Sequence, residues 1–224
     1  MRPVLILRPE PGASATFARA TAAGLQAIPA PLFTVKALAW DAPDPGDHDA
    51  VMLTSANAVR HAGAALALYR ALPVYAVGEA TAVAASAAGF ADVRAGTSDA
   101  AALIALMAQD GIARPLHLAG RDRKSGAAPF PIARRIVYAA DPVPTLPGAA
   151  RGALNRGAVA LIHSPRAGSL FTSLLVAANI GPSIISIAAI SPAAAAGHWK
   201  AAAIAATPDD AALLAAALSL CEKG

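Results

Sequence analysis

The stretch Ala50–Val59, AVMLTSANAV, holds a complete structural unit from which the fold class can be predicted. Its apolar run, Val51–Leu53, ends in two hydroxyl residues, Thr54 and Ser55, and an alanine-rich segment follows. Serine and threonine at such a turn cap helices, because their side-chain oxygens accept hydrogen bonds from the free amides of the first turn. A short buried strand that leads directly into a capped helix is typical of a parallel sheet covered by helices.

The same unit returns about 110 residues later as VALIHSPRAG, at Val159–Gly168. Two more segments recur in the same order. AGTSDAAALIALM at Ala95–Met107 returns as AATPDDAALLAAA at Ala205–Ala217, and VYAVGEATAVAA at Val74–Ala85 returns more loosely as SIAAISPAAAAG at Ser186–Gly197. The period is far longer than that of solenoid repeats, so the duplication predicts two related α/β domains, each with a doubly wound parallel sheet.

The two domains are not expected to be simple halves of the chain. The segment up to about Ala37 reads as a strand, a helix and a second strand, and it precedes the later copy of the unit by more than a domain's length. If these elements join that later copy, each domain reaches five strands. We therefore predict a discontinuous first domain of residues 1–37 plus 139–224 and an inserted second domain of residues 38–138, crossed by two adjacent connecting strands.

Composition excludes several classes of protein. Hydrophobic residues make up 56% of the chain and mean hydropathy is +0.52, but no run of about 18 apolar residues occurs. The first apolar run, Val4–Leu7, meets Arg8 too early for a signal peptide. Aromatic residues make up only 4%, which predicts aliphatic cores. The single cysteine, Cys221, excludes an internal disulfide framework and a cysteine metal site, so we expect a cytoplasmic protein.

The net charge of +4 raises nucleic acid as a partner, but the arginines are dispersed and no aromatic residues alternate with them. A small polyanionic substrate fits this mild excess better, and we expect neither nucleic acid nor membrane as a partner. The histidines show neither metal-ligand spacing nor a triad pattern, and no dinucleotide or nucleotide loop occurs, so no metal or cofactor is expected. His163 is expected to pack, because it and Ser164 should point to opposite faces.

Segments spread over nearly the whole chain carry a family resemblance. In chain order they are LILRPEPGA, DAVMLTSANAVR, YAVGEATAVAASAAGF, HLAGRDR, IVYAAD, LIHSPRAGSLF, AISPAAAA and AATPDDAALLAAA. Together they resemble the uroporphyrinogen-III synthase family. The resemblance implies two flavodoxin-like parallel-sheet domains joined by a two-stranded connector, with the first domain discontinuous. One segment departs from the family pattern: Lys124–Arg135 contains Pro129 and Pro131 and is too short for a helix plus a strand, so the second domain is expected to lack a helix there or to have a loop in its place.

The resemblance implies a lyase of tetrapyrrole and haem biosynthesis that needs no cofactor. Its substrate is hydroxymethylbilane, a linear tetrapyrrole with an acetate and a propionate on every pyrrole, and it closes the ring with loss of water and inversion of the last pyrrole. A monomer in transient contact with the enzyme that supplies the bilane is expected. Two alternatives stay open: an inactive tetrapyrrole- or small-anion-binding protein of the same fold, and a different enzyme, which would need a charged catalytic cluster.

The predicted binding residues lie at turns beyond the strands, where open parallel sheets bind ligands and helix N-termini favour anions. The expected substrate-binding set is Arg8, Thr54, Ser55, Asn57, Gly78, Ser164, Arg166, Ser191 and Thr207. Each hydroxyl has an alternative role as a helix cap only, and Asn57 as a local cap. Arg121 and Arg123 are weaker candidates, and Arg60 is expected to be solvated.

Tyr138 matches the position of an assisting acid in the family. A phenol can donate a proton or a hydrogen bond while it is uncharged. Its alternative role is packing within a connecting strand.

Overall fold

The computed structural model describes residues 1–96, 99–122 and 127–222. The strands are β1 (Val4–Ile6), β2 (Ala27–Pro29), β3 (Phe33–Ala37), β4 (Ala50–Leu53), β5 (Val74–Val77), β6 (Val93–Gly96), β7 (Pro115–Gly120), β8 (Ala133–Pro142), β9 (Val159–Ile162), β10 (Ser186–Ala189) and β11 (Ala201–Ile204). The helices are α1 (Gly12–Ala22), α2 (Ala56–His61), α3 (Glu79–Ala87), α4 (Ala100–Gln109), α5 (Gly148–Asn155), α6 (Pro165–Ala177) and α7 (Asp210–Glu222). Short 3₁₀ turns cover Pro45–Asp47, Ala64–Tyr69, Pro182–Ile184 and Pro192–Ala195.

The chain divides into two compact units, one of Met1–Thr34 with Asp141–Gly224 and one of Val35–Ala140. We call them the outer unit and the inserted unit. Each contains one copy of the duplicated strand-and-helix segments. The α/β class with two largely parallel sheets, predicted from that duplication, is confirmed. The domain boundaries expected from the sequence stay a prediction.

The outer unit has a five-stranded sheet in the order β11-β10-β9-β1-β2, in which all neighbours are parallel. Its central strands β1, β9 and β10 are buried along their whole length, as expected for apolar runs covered on both faces. On one face, Val4 and Leu161 pack in a cluster with Leu213 and Ala217 of α7. On the other, Phe171 of α6 stacks on Trp199 at 6.0 Å between ring centroids.

The inserted unit has a six-stranded sheet in the order β3-β8-β7-β4-β5-β6. The expectation of five strands is therefore right for the first sheet and wrong for the second, which takes in both β3 and β8. Side chains of β4 alternate between two cores: Val51 and Leu53 join one cluster, and Met52 joins the other with Leu103 and Met107 of α4. Residues 127–132 form no helix or strand, as predicted for the shortened segment.

The expectation of purely aliphatic cores is wrong in the inserted unit, where Tyr69 and Tyr75 are fully buried. Each buried phenol is hydrogen-bonded, as burial of a polar atom requires. The Tyr69 hydroxyl donates to the Pro43 carbonyl at 2.7 Å, and the Tyr75 hydroxyl donates to Asp110 Oδ2 at 2.7 Å. Two rare aromatic residues thus fill core volume that alanine cannot.

Alkaline pH is expected to weaken the inserted unit through Tyr75. Burial, together with the hydrogen bond to Asp110, raises the pKa of Tyr75 to about 12. A pKa that is higher in the folded than in the unfolded state gives stability that is complete below about pH 10 and is lost as pH rises towards 12. The expected loss from Tyr75 is about 1 kcal/mol at pH 11. Urea unfolding at pH 9 and pH 11 measures it.

Tyr75→Phe is the test variant, and Tyr69→Phe is a second test variant, because burial also raises the pKa of Tyr69. The Tyr75→Phe protein should lose less stability than the wild type between the two pH values. An identical loss of stability in the wild type and in Tyr75→Phe would mean that groups other than Tyr75 cause the alkaline instability.

Candidate functional site

The predicted binding residues of the outer unit lie together at the carboxyl edge of its sheet. Arg8, Ser164, Ser191 and Thr207 follow β1, β9, β10 and β11, which are parallel neighbours. The Ser164 hydroxyl accepts a hydrogen bond from the Ala167 amide at 3.1 Å at the start of α6. Ser191 accepts one from the Ala194 amide at 3.3 Å. The capping role of these serines is present, and carboxylate binding by them stays a prediction.

Two predicted residues of this unit, Arg166 and Thr207, are engaged in local contacts. The Arg166 guanidinium lies over the Phe33 ring, 4.5 Å from its centroid, a distance typical of a cation–π contact. The Thr207 hydroxyl donates to Asp209, whose carboxylate also accepts from the Ala212 amide at 2.9 Å. These hydrogen bonds, that from the Ala212 amide foremost, lower the pKa of Asp209.

Sequence reasoning missed a polar network centred on Asp210, the first residue of α7. His163 Nε2 lies 2.9 Å from Asp210 Oδ1, and the Thr16 hydroxyl lies 2.9 Å from both carboxylate oxygens. Arg19 Nη1 lies 2.8 Å from Oδ2, and Arg8 Nη1 lies 3.5 Å from Oδ1. We call these residues the Asp210 network. It holds a largely buried carboxylate at the edge where substrate anions were expected.

The electrostatics of Asp210 follow from these contacts. Burial alone would raise its pKa, but hydrogen bonds from His163, Arg19 and Thr16 outweigh burial and hold the pKa of Asp210 well below its usual range. The expectation that His163 only packs is wrong. β9 ends at Ile162, so the alternation of a strand no longer sets the direction of His163.

The inserted unit has a cavity of about 250 Å³ at the carboxyl edge of its sheet. It is lined by residues of β4, α4, β7 and β8 and of the segments next to them, namely Met52, Thr54, Ser55, Ala100, Ile104, His117, Gly120, Asp122, Ile132, Arg134 and Tyr138. The structure thus brings three predicted residues, Thr54, Ser55 and Tyr138, to one cavity.

The other candidates of this unit do not line that cavity. Asn57 Oδ1 accepts from Arg60 Nη1 at 3.4 Å, and Arg60 is exposed as expected. Gly78 precedes α3 with φ of 74°, a left-handed conformation that favours glycine. The side chain of Arg121 is exposed, and Arg123 lies outside the described residues.

Tyr138 rests directly on Gly120, a contact that sequence reasoning did not predict. A β-carbon built on Gly120 would lie 2.6 Å from Tyr138 Cζ and 2.8 Å from its hydroxyl, closer than real side chains allow. The Tyr138 ring also lies 6.2 Å from the His61 ring, between centroids. The phenol hydroxyl has no hydrogen-bond partner within residues 1–96, 99–122 and 127–222. Gly120 therefore sets where this hydroxyl points.

His117 and Arg134 are further site residues that the sequence did not single out. His117 is only 4% exposed. Its Nε2 lies 3.2 Å from Thr54 Oγ1, and Arg134 Nε donates to its Nδ1 at 3.3 Å. The register supplies the reason, because Met52 of β4 pairs with His117 of β7, which pairs with Arg134 of β8. The signal that could have been used is His117 itself, the one polar side chain in the otherwise apolar strand β7.

Within the described part of the chain, no group of three or more histidine, cysteine or acidic side chains is arranged to hold a metal ion. No helix there is long and apolar enough to cross a lipid bilayer.

Fold and site together define an α/β protein with two largely parallel sheets, each with polar side chains at its carboxyl edge. A sequence profile described as uroporphyrinogen-III synthase HemD matches residues 14–215. The chain therefore belongs to the uroporphyrinogen-III synthase family, whose members are cyclising lyases.

One solved structure agrees with this fold. A mutant uroporphyrinogen III synthase from the bacterium Thermus thermophilus is 15% identical, with 99% of this chain and 100% of that chain covered and a TM-score of 0.54. The wild-type synthase of the same organism, in a second crystal form, is 15% identical over 98% of this chain and 97% of that one, with a TM-score of 0.41. No curated protein matches the chain in sequence. At this identity the likeness concerns the fold alone.

Proposed function

We propose that this protein is a uroporphyrinogen-III synthase, which closes hydroxymethylbilane into uroporphyrinogen III. The hydroxyl of the hydroxymethyl group leaves as water together with a proton lost from the last pyrrole, the methylene carbon is kept as the bridge that closes the ring, and the last pyrrole is inverted. The observation that carries the proposal is the family match over residues 14–215, in a chain that presents Tyr138 at a polar cavity. Direct closure without an enzyme gives the uninverted isomer, so control of substrate geometry is the main task of the catalyst.

Tyr138 is proposed to assist the departure of hydroxide. Its hydroxyl lies at the cavity and has no partner in the described chain, so it can donate to the leaving oxygen. A phenol does so while uncharged and without a metal or cofactor. The hydroxyls of Thr54, Ser55, Ser164, Ser191 and Thr207, with Arg8, Arg166, Asn57 and Gly78, are proposed to hold the carboxylates of the substrate.

The test supplies the purified protein with freshly made hydroxymethylbilane, oxidises the products and separates the porphyrin isomers by chromatography. We expect predominantly type III isomer. Type I isomer alone, from protein shown by circular dichroism to be folded, would overturn the proposal. Retained binding of the tetrapyrrole in that case would favour the alternative, an inactive binding protein of the same fold.

Tyr138→Phe is expected to lower the turnover number by about 10²-fold or less, the range for one positioned acid. KM should change little, because the ring and its packing on Gly120 are kept. Initial rates of type III formation measure both constants. Tyr69→Phe is the matched control: it removes a buried hydroxyl that donates to Pro43, outside the cavity. An undiminished turnover number in Tyr138→Phe would remove Tyr138 from the mechanism.

Three further expectations are part of the proposal. Cys221, the only cysteine, is fully buried, which supports a reducing, cytoplasmic compartment. We propose that the protein acts as a monomer, in transient contact with the enzyme that supplies the bilane, and sedimentation velocity tests the first part. Residues 38–138 are proposed as a domain inserted between 1–37 and 139–224, which limited proteolysis tests.

A further inference from the structure

We infer that the cavity of the inserted unit is a subsite for one carboxylate side chain of the substrate, and that His117 and Arg134 position the Thr54 hydroxyl to donate to it. The inference rests on the proposed function, since it names the substrate group that this cavity takes. It adds His117 and Arg134, which neither the motifs nor the family match singled out.

The direction of the hydrogen bonds among Arg134, His117 and Thr54 follows from Arg134, which can only donate. Arginine has no acceptor, so the 3.3 Å contact between Arg134 Nε and His117 Nδ1 makes Nδ1 the acceptor. In a neutral imidazole the proton then lies on Nε2, which donates to Thr54 Oγ1 over 3.2 Å. Thr54 Oγ1 thus accepts a hydrogen bond from His117, and the proton of the Thr54 hydroxyl points away from His117. Thr54 lines the cavity, so its hydroxyl is set as a donor to a ligand there.

The size and charge of the cavity fit one carboxylate arm. At about 250 Å³ it is smaller than a pocket for a drug-sized molecule, so it admits a side chain and not a tetrapyrrole. Arg134, which lines the cavity, carries a permanent positive charge. Asp122, also at the cavity, is exposed, so solvent screens its charge. The first amides of α4 do not contribute, because Asp99 already accepts from Ala101 and Ala102.

The duplication provides an independent observation that a carboxylate belongs at this place. In the repeated segments Ala100 corresponds to Asp210, and Thr54 corresponds to His163. Asp210 begins α7 as Ala100 begins α4, and each follows an aspartate cap. In the outer unit this place is taken by the protein's own carboxylate, which His163, Thr16 and two arginines bind. In the inserted unit the small alanine side chain leaves room for a carboxylate that the substrate brings.

The test places a carboxylate of the protein itself in the cavity. Ala100→Asp gives α4 the same two acidic residues with which α7 begins, and an acidic first turn is favourable at a helix N-terminus, so the fold should be kept. Its carboxylate should occupy the donors of Thr54 and Arg134 and exclude that of the ligand. We expect KM for hydroxymethylbilane, and Kd for the octacarboxylate uroporphyrin III by fluorescence titration, to rise about tenfold to hundredfold.

The control is Ala101→Asp, which adds the same charge one residue along on the exposed side of α4. It should leave both constants near those of the wild type. Equal weakening by the two variants would mean general repulsion and would overturn the inference, as would an Ala100→Asp protein that binds normally. Formation of type III isomer by the wild type in the same assays shows that the proposed function holds in either case.

A second pair of variants tests the direction of the hydrogen bonds that lead from Arg134 through His117 to Thr54. Thr54→Val removes the donor, whereas Thr54→Ser keeps it, so only the valine variant should weaken uroporphyrin III binding. His117→Leu should weaken binding in the wild type but add nothing in the Thr54→Val background, because it acts through Thr54. If the losses in affinity from His117→Leu and Thr54→Val were additive, His117 would have a merely structural role and the inference would be overturned. Nitrogen-15 NMR should find the proton of His117 on Nε2, and a proton on Nδ1 would contradict this direction of the hydrogen bonds.

Discussion

Replacing Gly120 by alanine is expected to lower the turnover number by up to about 10²-fold, as far as Tyr138→Phe lowers it. The new β-carbon would lie 2.6 Å from Tyr138 Cζ, so either the ring or the strand must move. A phenol moved by about an ångström no longer meets the leaving oxygen in line, and such misplacement costs about 10²-fold in positioned catalysis. Turnover numbers for type III formation, measured at saturating bilane, give the effect.

The control for Gly120→Ala is Gly152→Ala, within α5, where a β-carbon meets no atom closer than Arg156 Nη1 at 3.8 Å. That change should leave turnover unaltered. The double variant Gly120→Ala with Tyr138→Phe should be no slower than the slower single variant, because Gly120 acts by positioning Tyr138. A crystal structure of Gly120→Ala with Tyr138 in place and normal turnover would contradict this role.

The Gly120–Tyr138 contact shows why part of the site could not be predicted from the sequence. Ala119 pairs with Ile136, but the next pair is Gly120 with Tyr138, so β8 carries one extra residue at this point. A bulge of this kind changes which side chains face which side of the sheet. The motifs HLAGRDR and IVYAAD contain both residues, but nothing in them fixes the shift. Tyr138 itself was predicted, from its place in the family pattern.

The fold was largely predictable because the sequence shows the same order of strand, cap and helix in two copies. The strand that ends at Leu53 and the cap at Ser55 recur as the strand that ends at Ile162 and the cap at Ser164, and both copies have the predicted form. Local signals of this kind, apolar runs and capping hydroxyls, act over a few residues. Long-range polar contacts have no such local signal.

The Asp210 network illustrates that limit. Its members lie at residues 8, 16, 19, 163 and 210, and only the order of the strands brings them together. In the sequence, Asp210 is one of several carboxylates at helix starts, which are usually solvated. The missing signal lies in the comparison of the two copies. Equivalent positions hold an uncharged alanine at the start of α4 and an acidic aspartate at the start of α7.

Replacing Asp210 by asparagine is expected to lower the free energy of unfolding of the outer unit by about 2–4 kcal/mol at neutral pH. The carboxylate accepts hydrogen bonds from Thr16, Arg19 and His163 in a site where its side chain is only 11% exposed, and a neutral amide cannot accept all of them. Urea unfolding, followed by the fluorescence of Trp199 in a Trp40→Phe background, reports on this unit alone.

The pH dependence separates the charge of Asp210 from its shape. Its pKa is lower in the folded than in the unfolded state, so its contribution is complete above the unfolded value of about 3.9 and is lost as pH falls through the folded value. The difference in stability between wild type and Asp210→Asn should therefore be present at pH 7 and shrink below about pH 4. Asp92→Asn, which alters an exposed pair with Arg94, should show only a small difference throughout. A gap between wild type and Asp210→Asn as large at pH 3 as at pH 7 would mean that side-chain volume and packing, and not the carboxylate charge, hold this edge of the sheet together.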